Sequence, residues 1–211
     1  DKIELALNNT STKLYLEHYN TIQNVNADIW QKTVAKIGPF SKACLQVYEN
    51  IFKNHKKAED NWKFHYFLVK DTQQQVVLAT FFTETLWKDD LLSPASISKE
   101  ADIQRQTDPS FLTSNSLSMG CQCSEGNPLY INKNNPQWRE ALDNLLEALW
   151  KIQDENDLEL IVFRDLNADE TILNTCLIDK GFLQVQMPDY NFIKNIQPVS
   201  YTHLTLPTNG C

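Results

Sequence analysis

Asn135-Pro-Gln-Trp-Arg-Glu-Ala-Leu-Asp-Asn-Leu-Leu-Glu-Ala-Leu-Trp-Lys-Ile152, followed by Leu158-Glu-Leu-Ile-Val-Phe163, is the stretch that decides the fold. Trp138, Ala141, Leu142, Leu145, Leu146, Leu149 and Ile152 recur at helical spacing and so line one face of an amphipathic helix. Asn135 reads as its N-cap and Pro136 as its first residue, where the missing proline N–H costs nothing. Residues 158–163 form a short, largely apolar run, the pattern of a strand covered on both faces. Residues 129–131 read as a strand ahead of the helix. A strand, helix, strand unit of this length accommodates a right-handed crossover, which predicts residues 129–131 and 158–163 side by side and parallel.

Residues 13–25 interleave Leu, Tyr, Ile and Val with polar residues, as a first strand or two short ones would. Asp28 is expected to cap a short helix carrying Ile29, Trp30 and Val34, which Gly38-Pro39 closes. Ser41 is expected to cap a longer helix with Cys44, Leu45, Tyr48, Ile51, Phe52 and His55 on one face. Residues 64–69 and 76–82 are β-branched and aromatic runs joined by Lys70-Asp-Thr-Gln-Gln-Gln75, a polar connection of hairpin length. From 88 to 115 the periodicity fades while Asp89, Asp90, Pro94, Asp102, Asp108 and Pro109 gather, which reads as a lid-like insertion with a short helix at 98–106. Leu117-Ser-Met119 and Leu129-Tyr-Ile131 flank Gly120 and Gly126, as one strand interrupted by a bulge or turn. Asp169 is expected to cap a further helix with Ile172, Leu173, Cys176 and Leu177 inward and Gly181 as its stop, and 182–187 and 190–193 read as closing strands. The series predicts an α/β chain with a mixed α+β sheet.

Composition narrows the function classes. With 211 residues, 42% hydrophobic and only 5 Gly and 8 Pro, the chain is an ordinary globular one and needs no staples to bury a core. A net charge of -8 speaks against a sequence-independent grip on nucleic acid, which depends on Lys and Arg neutralising phosphates. No apolar run reaches the roughly 20 residues needed to span a bilayer, and the first nine residues lack the order of a signal peptide. Cys44, Cys121, Cys123 and Cys176 are scattered, which fits a reducing, cytoplasmic setting, and with His18, His55 and His65 isolated no metal set is expected. Val199-Ser-Tyr-Thr-His-Leu-Thr-Leu-Pro-Thr208 matches one reading frame of a common transposon-based sequencing adapter, so residues 199–211 are set aside as an artefact.

Three strings carry a resemblance: Trp87-Lys-Asp-Asp-Leu-Leu-Ser-Pro-Ala95, Asp108-Pro-Ser-Phe-Leu-Thr-Ser114, and Leu117-Ser-Met-Gly120 followed by Ser124-Glu-Gly126 and Leu129-Tyr-Ile131. Together with the element order they resemble an acyltransferase domain of the Gcn5-related N-acetyltransferase superfamily, of the kind fused behind pyridoxal-phosphate-dependent enzymes of the α-oxoamine synthase type. The opening, Tyr19-Asn-Thr-Ile22 through Trp30 and Pro39-Phe-Ser41, is similar to FemAB-like members of bacterial type. The resemblance implies that residues 1–198 are one acyltransferase domain cut at both ends. Its fold would be that of an acyl-CoA N-acyltransferase, and a pyridoxal-phosphate enzyme domain would lie upstream.

It further implies acyl-CoA or acetyl-CoA as co-substrate, with the pantetheine arm along Leu129, Tyr130 and Ile131. The pyrophosphate would meet Lys133, Asn134, Asn135, Gln137, Trp138 and Arg139 at the helix entrance, where free N–H groups favour an anion. The family's Gly-rich turn is replaced here by Lys133-Asn-Asn-Pro-Gln-Trp138, which leaves an acyl-carrier or aminoacyl donor open. Acyl transfer to a small-molecule amine needs a base and an acid for the leaving thiolate. Glu125 and Glu84 are the candidate bases and Tyr130 the candidate acid; Asp89 and Asp90 would bind a cationic amine, and Arg164 and Asp165 would line the mouth of the site. A binding or scaffolding module without turnover and FemAB-like aminoacyl transfer are the competing readings.

Overall fold

The structure is a computed structural model and describes residues 3–5, 13–90 and 93–186. Among them run β1 (Ile3–Leu5), β2 (Tyr15–Tyr19), α1 (Ala27–Lys32), α2 (Val34–Ile37), α3 (Lys42–Phe52), β3 (Lys63–Lys70) and β4 (Val76–Lys88). Then come α4 (Ala95–Gln104), β5 (Thr113–Met119), β6 (Tyr130–Ile131), α5 (Trp138–Asn156), β7 (Leu160–Val162) and α6 (Thr171–Asp179). The chain divides into two compact units, Asp1–Thr171 and Ile172–Cys211.

The first unit is a mixed sheet in the order β1-β2-β3-β4-β5-β7, antiparallel except for the parallel pair β5 and β7. Mixed parallel and antiparallel strands with helices are what the sequence predicted at the level of class. The long β4 is the axis. Leu78 pairs with Val69 of β3 on one edge and with Ile131 of β6 on the other, and further along that second edge β4 pairs with β5 from Phe82↔Met119 to Lys88↔Thr113. Strands β5 and β6 are therefore one interrupted strand, as expected, and the interruption spans residues 120–129.

Strand alternation puts Phe64, Tyr66, Leu68, Ala79 and Phe81 on one face, in a fully buried cluster with Trp30, Val34, Phe40 and Leu45 of the α1–α3 segment. The Trp30 indole N–H donates to the Phe40 carbonyl at 2.8 Å, so the largest side chain of that cluster is satisfied as well as buried. The alternate residues Phe67, Leu78 and Phe82 are buried too, beneath α5, which lies against β3, β4 and β7. All seven of the predicted inward residues of α5, Trp138 to Ile152, are buried.

Several boundaries differ from expectation. Helix α5 starts at Trp138, with Gln137 at its cap position. Asn135 instead closes the preceding turn, accepting the Gln137 N–H at 2.9 Å and donating to Asp71 of the β3–β4 hairpin at 3.0 Å. Asn26, not Asp28, caps α1 by accepting the Ile29 N–H; Ser41 caps α3 as expected. On α3, Ile51 points to solvent and Glu49 is buried in its place, because its carboxylate accepts from Thr21, the Ile22 N–H and Tyr66. The expected 88–115 insertion is shorter: β4 and β5 run into it from both sides, and its helix is α4 at Ala95–Gln104.

The predicted neighbour of residues 158–163 was residues 129–131. The observed partner is β5, through Ser116↔Leu160 and Ser118↔Val162, while β6 lies in the same sheet along β4. Nor is the run covered on both faces: Leu160 is 43% exposed, and among the described residues β7 is the last strand in the sheet order. The ladder stops at Val162, and two residues on Arg164 turns its guanidinium onto backbone carbonyls of the strand break.

In the second unit, Leu173 and Leu177 are the buried residues of α6, while Ile172 is exposed. Asp169 belongs to a turn before the helix; Gly181 ends it as expected, at φ +94° with its N–H on Ile178 O and the Phe182 N–H on Leu177 O. Residues 182–186 form no strand, and the strand expected at 190–193 lies outside the described residues.

Candidate active site

The break in the β5–β6 strand is a tightly held irregular segment. Gly120 and Gly126 sit at φ +77° and +90°, where a side chain is strained, and a Cβ on Gly120 would come within 3.0 Å of Ser124 Oγ. Ser124 closes the turn by accepting the Cys121 N–H and donating to the Cys121 carbonyl, each at 3.0 Å. Arg164 donates to Cys121 O at 2.8 Å and Ser124 O at 2.6 Å, and Tyr48 donates to Cys123 O at 3.2 Å. Thr83 of β4 donates to Gly120 O. A turn gripped from α3, β4 and the β7 exit holds one shape.

Because β7 pairs only with residues 116–118, the two parallel strands part at this turn. Beside the parting, Thr83, Thr85, Ser116 and Ser118 form a buried hydroxyl strip on one face of β4 and β5. Glu125 stands exposed within the turn, and Tyr130, on β6 just beyond it, is half-buried against the apolar cluster. Arg164 and Asp165 are brought here, paired at 3.1 Å.

The other predicted residues lie elsewhere. Asp89 accepts from Ser114 at 2.9 Å, which places it at the start of β5; Ser114 and Gly120 are six strand residues apart, roughly 20 Å. Asp90 is bound to Arg105, whose guanidinium holds its carboxyl below the usual carboxylate range. An amine pocket shared by Asp89, Asp90 and Glu125 is therefore not assembled. At the entrance to α5, Lys133 is paired with Glu170, Arg139 lies 4.5 Å over the Trp138 ring, and the Asn134 N–H bonds Asn132 at 3.2 Å. Leu129 is buried and Ile131 partly so.

Glu84 lies on the opposite face of β4, across from Lys63 on β3, and pairs with it at 2.5 Å. Burial pushes its pKa up, but His65 and Lys63 outweigh burial and the carboxyl titrates below its ordinary value. Its other oxygen is 3.7 Å from His65 Nε2, and both atoms are buried without a hydrogen bond. His65 Nδ1 is in turn 3.0 Å from His18 Nε2. In the sequence these histidines are isolated; only the pairing of β2 with β3, His18↔Phe67, brings them together. Burial and the neighbouring His65 bring His18 from 6.5 down to about 4.

No family model matches the chain, and no curated protein or solved structure matches it. Among the described residues no group of His, Cys, Asp and Glu is placed to hold a metal ion, and no helix is long and apolar enough to cross a membrane.

Proposed function

We propose that this chain is an acetyltransferase-like N-acyltransferase, moving an acyl group from a thioester donor to an amine. The observation that carries the reading is the parting of β5–β6 from its parallel neighbour β7 at a rigid, glycine-shaped turn, with α5 as the crossover. Such a parting leaves strand-edge N–H and C=O groups for an extended, amide-containing arm like that of acyl-CoA, the main-chain recognition used in strand addition.

In the reaction the amine nitrogen attacks the thioester carbon, the C–S bond breaks, the amine proton goes to Glu125 and Tyr130 protonates the leaving thiolate. Glu125 is preferred over Glu84 because it is exposed at the turn, whereas Lys63 and His65 hold the Glu84 carboxyl below its ordinary value, which weakens it as a base. Calorimetry with acetyl-CoA and longer acyl-CoAs tests donor binding, and release of free thiol with a panel of amines tests turnover. Glu125→Gln should bind donor normally and lose about a hundredfold to ten-thousandfold in rate.

The entrance to α5 favours a second reading, a binding or scaffolding module without turnover. Lys133 is neutralised by Glu170, Asn135 already occupies the Gln137 N–H, and no glycine lets a phosphate approach. Wild-type protein silent with every acyl-CoA decides for the module.

A further inference from the structure

Two cysteines far apart in the chain converge on one tyrosine hydroxyl. Cys44 and Tyr48 are four residues apart on α3, hence neighbours on one helix face, and a helical aromatic leans toward the N-terminus, over Cys44. The same Tyr48 hydroxyl donates to the carbonyl of Cys123 at 3.2 Å. Burial, the Cys44 thiol beside it and the nearby Cys121 and Cys123 push the Tyr48 hydroxyl up to about 12, so it stays a neutral donor. Cys123 is exposed, Cys44 partly so, and Cys121 is buried with its backbone held at both ends.

We propose that Cys44 and Cys123 are a thiol pair that a hydroperoxide converts to a disulfide, tying α3 to the strand break. The Cys123 thiolate attacks one peroxide oxygen, the O–O bond breaks, and an alcohol or water leaves, giving a sulfenic acid. The Cys44 thiolate then attacks that sulfur, the S–S bond forms, and the hydroxyl departs as water. Two electrons pass from the two thiols to the peroxide. Burial pushes the Cys123 thiol up, so the reaction speeds up as pH rises. A staple between α3 and residues 121–124 stiffens the turn that Tyr48 and Arg164 already hold.

The test treats the reduced full chain with hydrogen peroxide, digests it without reductant and maps cross-linked peptides by mass spectrometry. The expected product joins the Cys44 and Cys123 peptides within one chain and is about 2 Da lighter than the two thiols. Cys44→Ser or Cys123→Ser should slow its formation at least tenfold, and Cys121→Ser should leave it unchanged. A Cys121–Cys123 link, cross-linking only between chains, or Cys123 oxidised to sulfinic acid with Cys44 still free would overturn the proposal. The readout on wild-type protein needs no variant to fold, and none of these outcomes depends on acyl transfer.

Discussion

Strand β5 is held at each end by an arginine, and the two ends are held by different means. At its start, Arg105 donates to the carbonyls of Phe111 and Leu112 at 2.9 and 2.7 Å and pairs with both Asp90 and Asp102. At its end, Arg164 donates to the carbonyls of Cys121 and Ser124 but pairs with a single carboxylate, its neighbour Asp165. The Arg105 side chain is 9% exposed and that of Arg164 22%. Carbonyl capture is common to both; the difference is burial and the extent of the charge network. Arg105 sits in a network of two carboxylates shared with Lys88 and behaves as a staple, whereas Arg164 is matched by one carboxylate and stands more exposed at the turn.

Arg105→Ala should produce the larger fall in denaturation midpoint, because it strips Asp90 of its paired cation and frees the 105–112 turn at once. Chemical denaturation alongside Arg164→Ala checks this; equal falls would mean that the second carboxylate adds nothing.

Acid separates the regions by order. A histidine lowered on folding stabilises fully above its unfolded value, and that contribution is lost as pH falls from 6.5 to about 4, the His18 window. The loss is about 2 kcal/mol once partial exposure is discounted. Asp90, lowered by Arg105, acts only below the ordinary carboxylate value: its contribution is present above that value and lost beneath it. Denaturation midpoints from pH 7 to 3 should therefore fall first through His18 on β2, and His18→Gln should remove that first step while leaving the second.

Arg164→Ala should cost about 1–2 kcal/mol of stability, the worth of its charge-assisted bonds to carbonyls, and should weaken acyl-CoA binding out of proportion. Donor affinity unchanged in a folded Arg164→Ala chain would make the two arginines equivalent staples. The smallest effect belongs to Lys133→Ala: an exposed pair contributes under about 1 kcal/mol. Salt dependence of acyl-CoA binding would reveal whether Lys133 nevertheless meets the phosphates.

Local patterns were legible where one side of an element repeats. The buried face of α5, the β3–β4 hairpin, the Ser41 cap, the stop at Gly181 and the glycine-marked interruption before β6 all follow from spacing, capping and φ preference within a few residues. The inward Glu49 carried a faint signal, four residues after Leu45 on the same helix face, but a carboxylate reads as solvated until its three donors are known.

The sequence by itself determined a mixed α/β chain, its principal helix and the place where a strand breaks, because helix and strand periodicity are properties of neighbouring residues. Tertiary structure decided the rest. Which strand lies beside β7, the meeting of His18 with His65, the capture of Asp90 by Arg105 and the convergence of Cys44 and Cys123 on Tyr48 all join residues remote in the chain. Long-range partners depend on register and on which buried polar groups find donors, and no local pattern carries that information.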